Sequence, residues 1–374
     1  MPAPVPTRPG RTVHGVTFAI VLLALVTGAP AQAQTEDREA SFAQITRDIV
    51  DNHVRPGFER FQGATGLLLQ TLETHCAQPS PAGFGSVEQA FRDAALAFAR
   101  IEYVDMGPMR TENRRERVLF WPDPRSRGMK QVQKVLATGD ETATSASTLA
   151  RKSVALQGLG ALEFLLYGTP SQEIKSQSGA FACRYATAIA GNLEAIAGDA
   201  HADWMRDDGF AGLLLNPGAE NAVARSHQEA AEELLTVLPN ALEAIRDQKI
   251  VRPLGADVSK ARHKRAPYWR SGLTVHILAA NISGLHELLE VSGVQIVLPE
   301  GVQFLVRNGL FGLSTAESRL EGMDGTVETV FTDPDMRGTL TYLTVVLGQT
   351  QKELGADLFR ALDLTMGFNR LDGD

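Results

Sequence analysis

The stretch from Ser153 to Pro170 is mostly apolar or small, and Glu163 is its one charged residue. A helix that is apolar on every side is usually buried on every side. Glu163 is therefore expected inside the protein, where an unpaired carboxylate costs several kcal/mol. Two interpretations stay open. Either Glu163 reaches a structural arginine from a core helix, or it anchors a buried polar site, since perturbed carboxylates cluster at such sites.

Two glycines, Gly158 and Gly160, lie in the same predicted helix. Each costs about 1 kcal/mol relative to alanine inside a helix. Two glycines within three residues therefore indicate a close backbone approach, a kink or a bulge.

Helical patterns fill most of the chain and predict an all-α fold with two helical-bundle domains packed side by side. The length of 374 residues exceeds what one small core usually organises. A hydrophobic content of 44% with 21% charged residues is ordinary for a folded soluble protein. The predicted boundaries are a signal peptide at 1–33, an N-terminal bundle at 34–200 and a C-terminal bundle at 201–374.

Proline and capping residues divide the predicted helices. Pro56 marks a break in a helical pattern that runs from Ser41 to Thr74. Ser86 predicts the N-cap of a helix that ends near Asp105. Later helices are predicted at about 172–198, 221–248, 267–289, 338–347 and 351–364. The segment 293–335 carries short apolar runs that fit a strand or a helix equally well.

The first 33 residues resemble a secretory signal peptide. Arg8 and Arg11 form its basic region, residues 16–26 form its apolar region, and Ala31-Gln32-Ala33 is a cleavage site. The apolar run is too short to be a permanent membrane anchor. We therefore expect a periplasmic protein whose mature chain carries no transmembrane anchor.

Export bears on the two cysteines, Cys76 and Cys183. An even number of cysteines in an exported chain predicts a disulfide, because the compartment is oxidising. Two buried free thiols are the alternative.

The charge balance argues against a nucleic-acid partner. Without Arg8 and Arg11, the chain has 34 basic residues against 44 acidic ones, a net charge of −10. Nucleic-acid-binding domains are usually basic. The basic segment from Lys260 to Arg265 is accordingly interpreted as a solvated stretch and not as a binding patch.

Motifs that carry well-known chemistry are absent from the sequence. It has no H-E-x-x-H zinc motif, no G-x-S-x-G elbow, no phosphate-binding loop and no dinucleotide fingerprint. The loop Phe120-Trp121-Pro122-Asp123 is more distinctive, because prolines exclude a helix interior or a central strand. Its tryptophan is expected to pack into the domain. The loop therefore either pins the domain or forms a wall of the Glu163 site.

Five features together resemble the imelysin family of exported, all-helical bacterial proteins, over nearly the whole mature chain. They are the kinked first helices with Pro56-Gly57, the Phe120-Trp121-Pro122-Asp123 loop, the Gly158 to Gly168 helix, Trp269-Arg270-Ser271-Gly272 and the closing Gly367-Phe368-Asn369. The hallmark GxHxxE motif of the family aligns with Gly158, Gly160 and Glu163. Gly160 stands where the family has histidine.

The resemblance implies a protein linked with iron uptake or iron regulation, and a metal ion such as iron is the cofactor it suggests. Because one carboxylate is too little for a catalytic zinc, we expect a non-catalytic binding protein. Its ligand is unknown, and its site is expected at the cleft between the two bundles, around Glu163. Its candidate binding residues are Glu163, Gly158, Gly160, His53, Arg270, Ser271, Trp121 and Asp123. Two alternatives remain: a metal-dependent peptidase with Glu163 as general base, and a structural partner of an envelope protein.

Overall fold

A computed structural model of the chain describes residues 1–6, 10 and 29–365. Residues 29–365 contain helices and no β-strand, which confirms the predicted all-α fold. The basic and apolar regions predicted for the signal peptide and the closing segment 367–374 lie outside the described residues. In the part of the chain that is described, no helix combines the length and apolar character needed to cross a membrane.

By the clustering of their contacts, Met1–Asp37 form one compact unit and Arg38–Asp374 form a second. The expected division of the chain into two bundles near residue 200 stays a prediction.

The α-helices of the first part of the chain end with the longest one, α9. In order they are α1 (Ala29–Ile49), α2 (Arg55–Ala77), α3 (Pro81–Ala99), α4 (Arg114–Val118), α5 (Arg127–Thr138), α6 (Ala146–Leu149), α7 (Gly158–Tyr167), α8 (Ser171–Ser176) and α9 (Phe181–Met205).

The remaining α-helices follow from residue 210 onward. They are α10 (Phe210–Leu215), α11 (His227–Leu235), α12 (Val237–Glu243), α13 (Arg252–Leu254), α14 (Thr274–Val291), α15 (Phe304–Glu321), α16 (Val327–Thr332), α17 (Pro334–Lys352) and α18 (Leu358–Ala361). The ambiguous segment 293–335 is therefore helical, with α15 and α16 as its main elements.

Within residues 29–365, three π-helical segments interrupt the α-helices. They are Val50–Val54, Ala244–Val251 and Glu353–Asp357. The first lies just before Pro56, where the sequence predicts a break. Pro56 itself is in the first turn of α2, where a missing N–H removes no hydrogen bond within that helix.

The predicted start of the third helix at Ser86 is wrong. The helix begins at Pro81, and Ser80 is its N-cap, with Oγ accepting a hydrogen bond from the N–H of Gly83 at 3.1 Å. Proline suits this first position because no N–H is required there. The helix also ends at Ala99, earlier than Asp105.

Two of the later helices also differ from their predicted extents. The helix expected at 172–198 is divided into α8 and α9 around Gly179, whose φ of 69° is left-handed and breaks the helical path. The helix expected from Pro267 begins only at Thr274, because residues 267–273 form a turn.

The core of the N-terminal part is built around α2, which packs against α3 and α9. The buried rings of Phe58 and Phe61 face Trp204 of α9 and Phe98 of α3, respectively. A disulfide between Cys76 and Cys183 joins the end of α2 to α9 and confirms the predicted pairing. In the chain-entropy model, a link across 107 residues stabilises the fold by up to roughly 4–5 kcal/mol.

The two parts of the chain meet where α14 crosses α3. Gly284 of α14 lies so close to the backbone carbonyl of Arg100 that a Cβ at this position would clash. Farther along the chain, α14, α15 and α17 pack in succession. The turn before α14 is hydrogen-bonded to Glu163 of α7.

Candidate ligand-binding site

Glu163 lies on α7 and is almost fully buried, with 4% of its surface exposed. Its Oε1 accepts hydrogen bonds from the backbone N–H of Arg270 at 3.0 Å and from the backbone N–H and Oγ of Ser271, both at 2.9 Å. The structure thus brings together three of the predicted site residues. The guanidinium of Arg270 does not pair with Glu163; it stacks on Trp269, 4.3 Å from the ring centre.

The turn that meets Glu163 has an unusual backbone. Tyr268 and Gly272 have φ values of 54° and 75°, both left-handed. This conformation suits glycine and is uncommon for tyrosine. Thr274 Oγ1 donates a hydrogen bond to the carbonyl of Pro267 at 2.7 Å, which closes the turn from the α14 side. The result is a loop whose two successive N–H groups converge on one carboxylate oxygen.

Burial raises the pKa of Glu163 above its usual value. The hydrogen bonds from Ser271, the charge of Arg270 and the backbone N–H of Arg270 all favour the ionised form and limit that rise. Within the described residues, every hydrogen bond to Glu163 goes to Oε1. Oε2 accepts none of these hydrogen bonds.

A cavity of about 760 Å³ opens beside Glu163. Its walls are the loop 119–124, the start of α5, one side of α7 and the segment 261–270. Its volume falls in the range of small-molecule sites, which are about 300–1,000 Å³. Glu163, Gly160, Trp121, Asp123 and Arg270 all line this cavity.

The two glycines of α7 have different roles. Gly158 has a φ of 78°, and a Cβ there would overlap the backbone carbonyls of Arg117 and Val118. A Cβ at Gly160 would meet nothing within 4 Å. Gly158 is thus required by close backbone approach, whereas Gly160 leaves open space at the cavity wall.

Asp123 has a structural role at the cavity wall. Its carboxylate accepts hydrogen bonds from the backbone N–H groups of Arg127, Gly128 and Met129 at 2.8–3.2 Å. It therefore caps the start of α5, where unpaired N–H groups need acceptors. Trp121, which precedes a cis Pro122, lines this cavity and a second one as well.

His53 is not in the Glu163 site, and its predicted role as a partner of Glu163 is wrong. It is fully buried on the first π-helical segment. Its Nε2 is 2.9 Å from Tyr103 Oη, and its Nδ1 is 3.7 Å from Glu287 Oε2. These contacts join His53 to α14 and to the turn after α3, and none of them involves α7.

The donor atoms at the Glu163 cavity do not fit a catalytic metal ion. In the described residues, no group of three or more His, Cys, Asp or Glu side chains could hold a metal. A catalytic zinc takes about three protein ligands. The cavity has Glu163 and His263, but Asp123 is already committed to three backbone N–H groups.

The basic segment from Lys260 to Arg265, interpreted above as solvated, lies largely on this cavity. Arg262, His263, Lys264 and Arg265 line it together with Arg252 and Arg270. Lys260, Arg262, Lys264 and Arg265 are exposed, as that interpretation expects, and the segment also borders the cavity. Net charge does not report how charges are distributed over the surface.

A second cavity, of about 1060 Å³, contains a buried polar group that the sequence analysis missed. Lys249 is 4% exposed and donates hydrogen bonds to Glu102 and, at 2.8 Å, to Asn281. Burial lowers the pKa of Lys249. In sequence these three residues are ordinary helix residues, so nothing in their spacing could have identified them.

The described residues therefore define an all-α protein with a buried carboxylate at the wall of a cavity. A family model described as Imelysin matches residues 54–351. The chain belongs to the imelysin family.

Several solved structures are similar to this chain. One is an imelysin-like protein from Psychrobacter arcticum 273-4, with a TM-score of 0.74 and 19% identity, covering 88% of this chain and 98% of that one. Another is described as a "putative iron-regulated protein A precursor" from Parabacteroides distasonis ATCC 8503, with a TM-score of 0.68 and 13% identity, covering 84% and 95%. At these identities the similarity shows the fold. Comparison with curated proteins gives no match.

Proposed function

We propose that this protein is an exported, periplasmic binding protein that acts without catalysis in iron uptake or its regulation. The observation that carries the proposal is the cavity of about 760 Å³ with the buried carboxylate of Glu163 on its wall. A concave site with a few fixed polar groups is typical of small-molecule binding. The link to iron rests on the family and on the name of the Parabacteroides relative.

The position of the cavity supports a binding role. Its walls come from residues before and after position 200, namely the loop 119–124, α7 and the segment 261–270. Clefts between packed parts of a chain are common ligand sites. Because Glu163 already joins α7 to the turn at Ser271, a ligand would meet a preformed wall. Preformed sites bind with a smaller loss of conformational freedom.

The alternative function is a metal-dependent peptidase with Glu163 as general base. It is favoured by the family motif, in which a histidine and a glutamate occur together. Here Gly160 contributes no donor, and the described residues have no set of three metal ligands. Glu163 Oε1 is also saturated by three donors, which opposes proton abstraction by that oxygen.

One experiment separates the two functions. The mature protein is purified, its metal content is measured, and peptide cleavage is assayed with added zinc and with chelator. Native mass spectrometry then detects a retained small molecule. We expect a retained or exchangeable ligand that Glu163→Ala loses and Glu59→Ala, an exposed control, keeps. Chelator-sensitive cleavage that disappears in Glu163→Gln would instead establish the peptidase.

A further inference from the structure

The lining of the Glu163 cavity is strongly basic, although the chain as a whole has a net charge of −8. The cavity carries two carboxylates, from Asp123 and Glu163. Five side chains on it are permanently cationic near neutral pH, and these are Arg252, Arg262, Lys264, Arg265 and Arg270. Charges of one sign around a concave surface focus the electrostatic field and concentrate ligands of the opposite sign.

These cations have no carboxylate partner within salt-bridge distance among the residues that the structure describes. The guanidinium of Arg262 donates only to the backbone carbonyls of Ser259 and Ala261. The two carboxylates of the cavity are engaged elsewhere, Glu163 by the turn at Ser271 and Asp123 by the start of α5. Glu163 offsets part of the charge of Arg270. Five cations against two carboxylates still leave the cavity with a net positive charge.

Two of the cations are held in place by an aromatic ring. The guanidinium of Arg270 lies 4.3 Å from the centre of the Trp269 ring, and Lys264 Nζ lies 5.5 Å from it. Phe164 of α7 is 5.5 Å from the same guanidinium. Such contacts orient a cation without neutralising it. Since its backbone N–H is bonded to Glu163, Arg270 is fixed at both the main chain and the side chain.

A fixed guanidinium offers two parallel N–H groups that match a carboxylate or a phosphate. We propose that the ligand of this cavity is a small, multiply charged oxyanion that carries carboxylate or phosphate groups, held by Arg270 and Lys264 with Arg265 at the rim. This inference rests on the binding function proposed above and specifies the class of ligand. Glu163 is then a positioning residue, which aims Arg270 through the turn and does not itself contact the anion.

The test is calorimetric titration of the mature protein with citrate and, separately, with inorganic phosphate, at constant ionic strength. Glycerol serves as a neutral probe. We expect at least one anion to bind with Kd below about 1 mM, and the affinity to fall as salt screens the charges. Binding of citrate alone identifies a carboxylate ligand, and binding of phosphate alone identifies a phosphate ligand. Absence of binding by both anions overturns the proposal.

Matched variants test the residues. Arg265→Gln and Arg307→Gln each remove one exposed arginine, but only Arg265 lines the cavity. We expect Arg265→Gln to weaken anion binding several-fold and Arg270→Gln to weaken it at least about tenfold, with Arg307→Gln unchanged. Arg270→Lys, which keeps the charge and loses the fork, should lie between wild type and Arg270→Gln. Equal weakening by Arg265→Gln and Arg307→Gln contradicts the proposal.

Native mass spectrometry of the protein from cell extract separates this inference from the binding function. A retained neutral or cationic ligand that Glu163→Ala loses would keep the binding function and overturn the oxyanion assignment. A protein that retains nothing and cleaves peptides with added zinc would overturn the binding function itself.

Discussion

Ser271 donates two hydrogen bonds to a single oxygen of Glu163, through its backbone N–H and its Oγ, both at 2.9 Å and across 108 residues of sequence. This contact joins α7 to the turn that precedes α14. The two segments are distant in sequence, and both border the cavity. These hydrogen bonds therefore hold the cavity wall together in a largely apolar setting.

Removing the Glu163 carboxylate should destabilise the protein. Glu163→Ala leaves the N–H groups of Arg270 and Ser271 without their acceptor, and each buried unsatisfied donor costs about 1–3 kcal/mol. The hydroxyl of Ser271 keeps the carbonyl of Tyr268 as an acceptor at 3.1 Å. Because water can enter from the cavity, we expect a total of roughly 2–4 kcal/mol. Glu163→Gln keeps an acceptor oxygen and should cost about 1 kcal/mol.

Urea unfolding of both variants measures these losses in the free energy of unfolding. Glu59→Ala, which removes an exposed glutamate from α2, is the control and should change stability by under about 0.5 kcal/mol. A loss in Glu163→Ala no larger than that of the control would show that the contact contributes nothing.

The raised pKa of Glu163 has a consequence for stability against pH. The folded protein holds this proton more tightly than the unfolded chain, whose pKa is near 4.5. Its contribution is fully present below the unfolded pKa and is lost as pH rises through the folded pKa. Urea unfolding from about pH 4 to 8 should therefore show a decline in wild type that is smaller in Glu163→Gln. Parallel curves for the two proteins would contradict the raised pKa.

The two glycines of α7 should respond oppositely to substitution. Gly158→Ala forces a Cβ against backbone carbonyls at a φ of 78°, so we expect a loss of more than about 2 kcal/mol. Gly160→Ala adds a Cβ in open space and replaces glycine in a helix, so it should be neutral or stabilise by up to about 1 kcal/mol. Thermal unfolding of the pair measures the contrast. Equal melting temperatures would contradict the assigned roles.

His53 should make the fold sensitive to acid. Burial lowers its pKa from 6.5 to about 4, and the charge of Glu287 opposes this only in part. A histidine with a depressed pKa contributes stability that is full above 6.5 and is lost as pH falls toward the folded pKa. The loss should reach about 3 kcal/mol. Urea unfolding of wild type and His53→Gln should be compared over this pH range. The free energy of unfolding should fall less in the variant as pH falls. The same fall in both proteins would contradict the lowered pKa of His53.

Export should remove the first 33 residues. The apolar region at 16–26 and the site Ala31-Gln32-Ala33 carry this prediction. Intact-mass measurement of protein from the periplasmic fraction is expected to give a chain that begins near Gln34. A mass that includes residues 1–33 would contradict cleavage.

Much of the fold follows from sequence pattern because helix periodicity and capping are local. The all-α class and the buried Glu163 were predicted, and so was the Cys76–Cys183 pairing. Ser86 was wrongly assigned as a cap because Ser80 stands before a proline and competes for the same role. Such competition between nearby caps is decided by packing of the whole helix.

The site could be predicted only in part, because it depends on contacts between segments that are distant in sequence. Ser271 and Arg270, two of the three candidate partners, contact Glu163, although Arg270 does so through its backbone N–H; His53 does not contact it. Which face of a helix points at which neighbour depends on packing between distant segments. The basic rim around Lys264 was visible in sequence, yet only the fold shows that it borders a cavity.

The π-helical turn at Val50–Val54 tolerates a change of chain length that the neighbouring helices do not. A π turn accommodates one residue more than the α-helical turn it replaces. The wider turn absorbs this residue, so Phe42 and Ile45 before it and Phe58 and Phe61 after it are all buried. Deleting one residue from the turn should therefore restore an α-helix whose two sides still face the core. The same deletion inside α2 would turn the two sides of that helix relative to each other by about 100° and should be far more harmful.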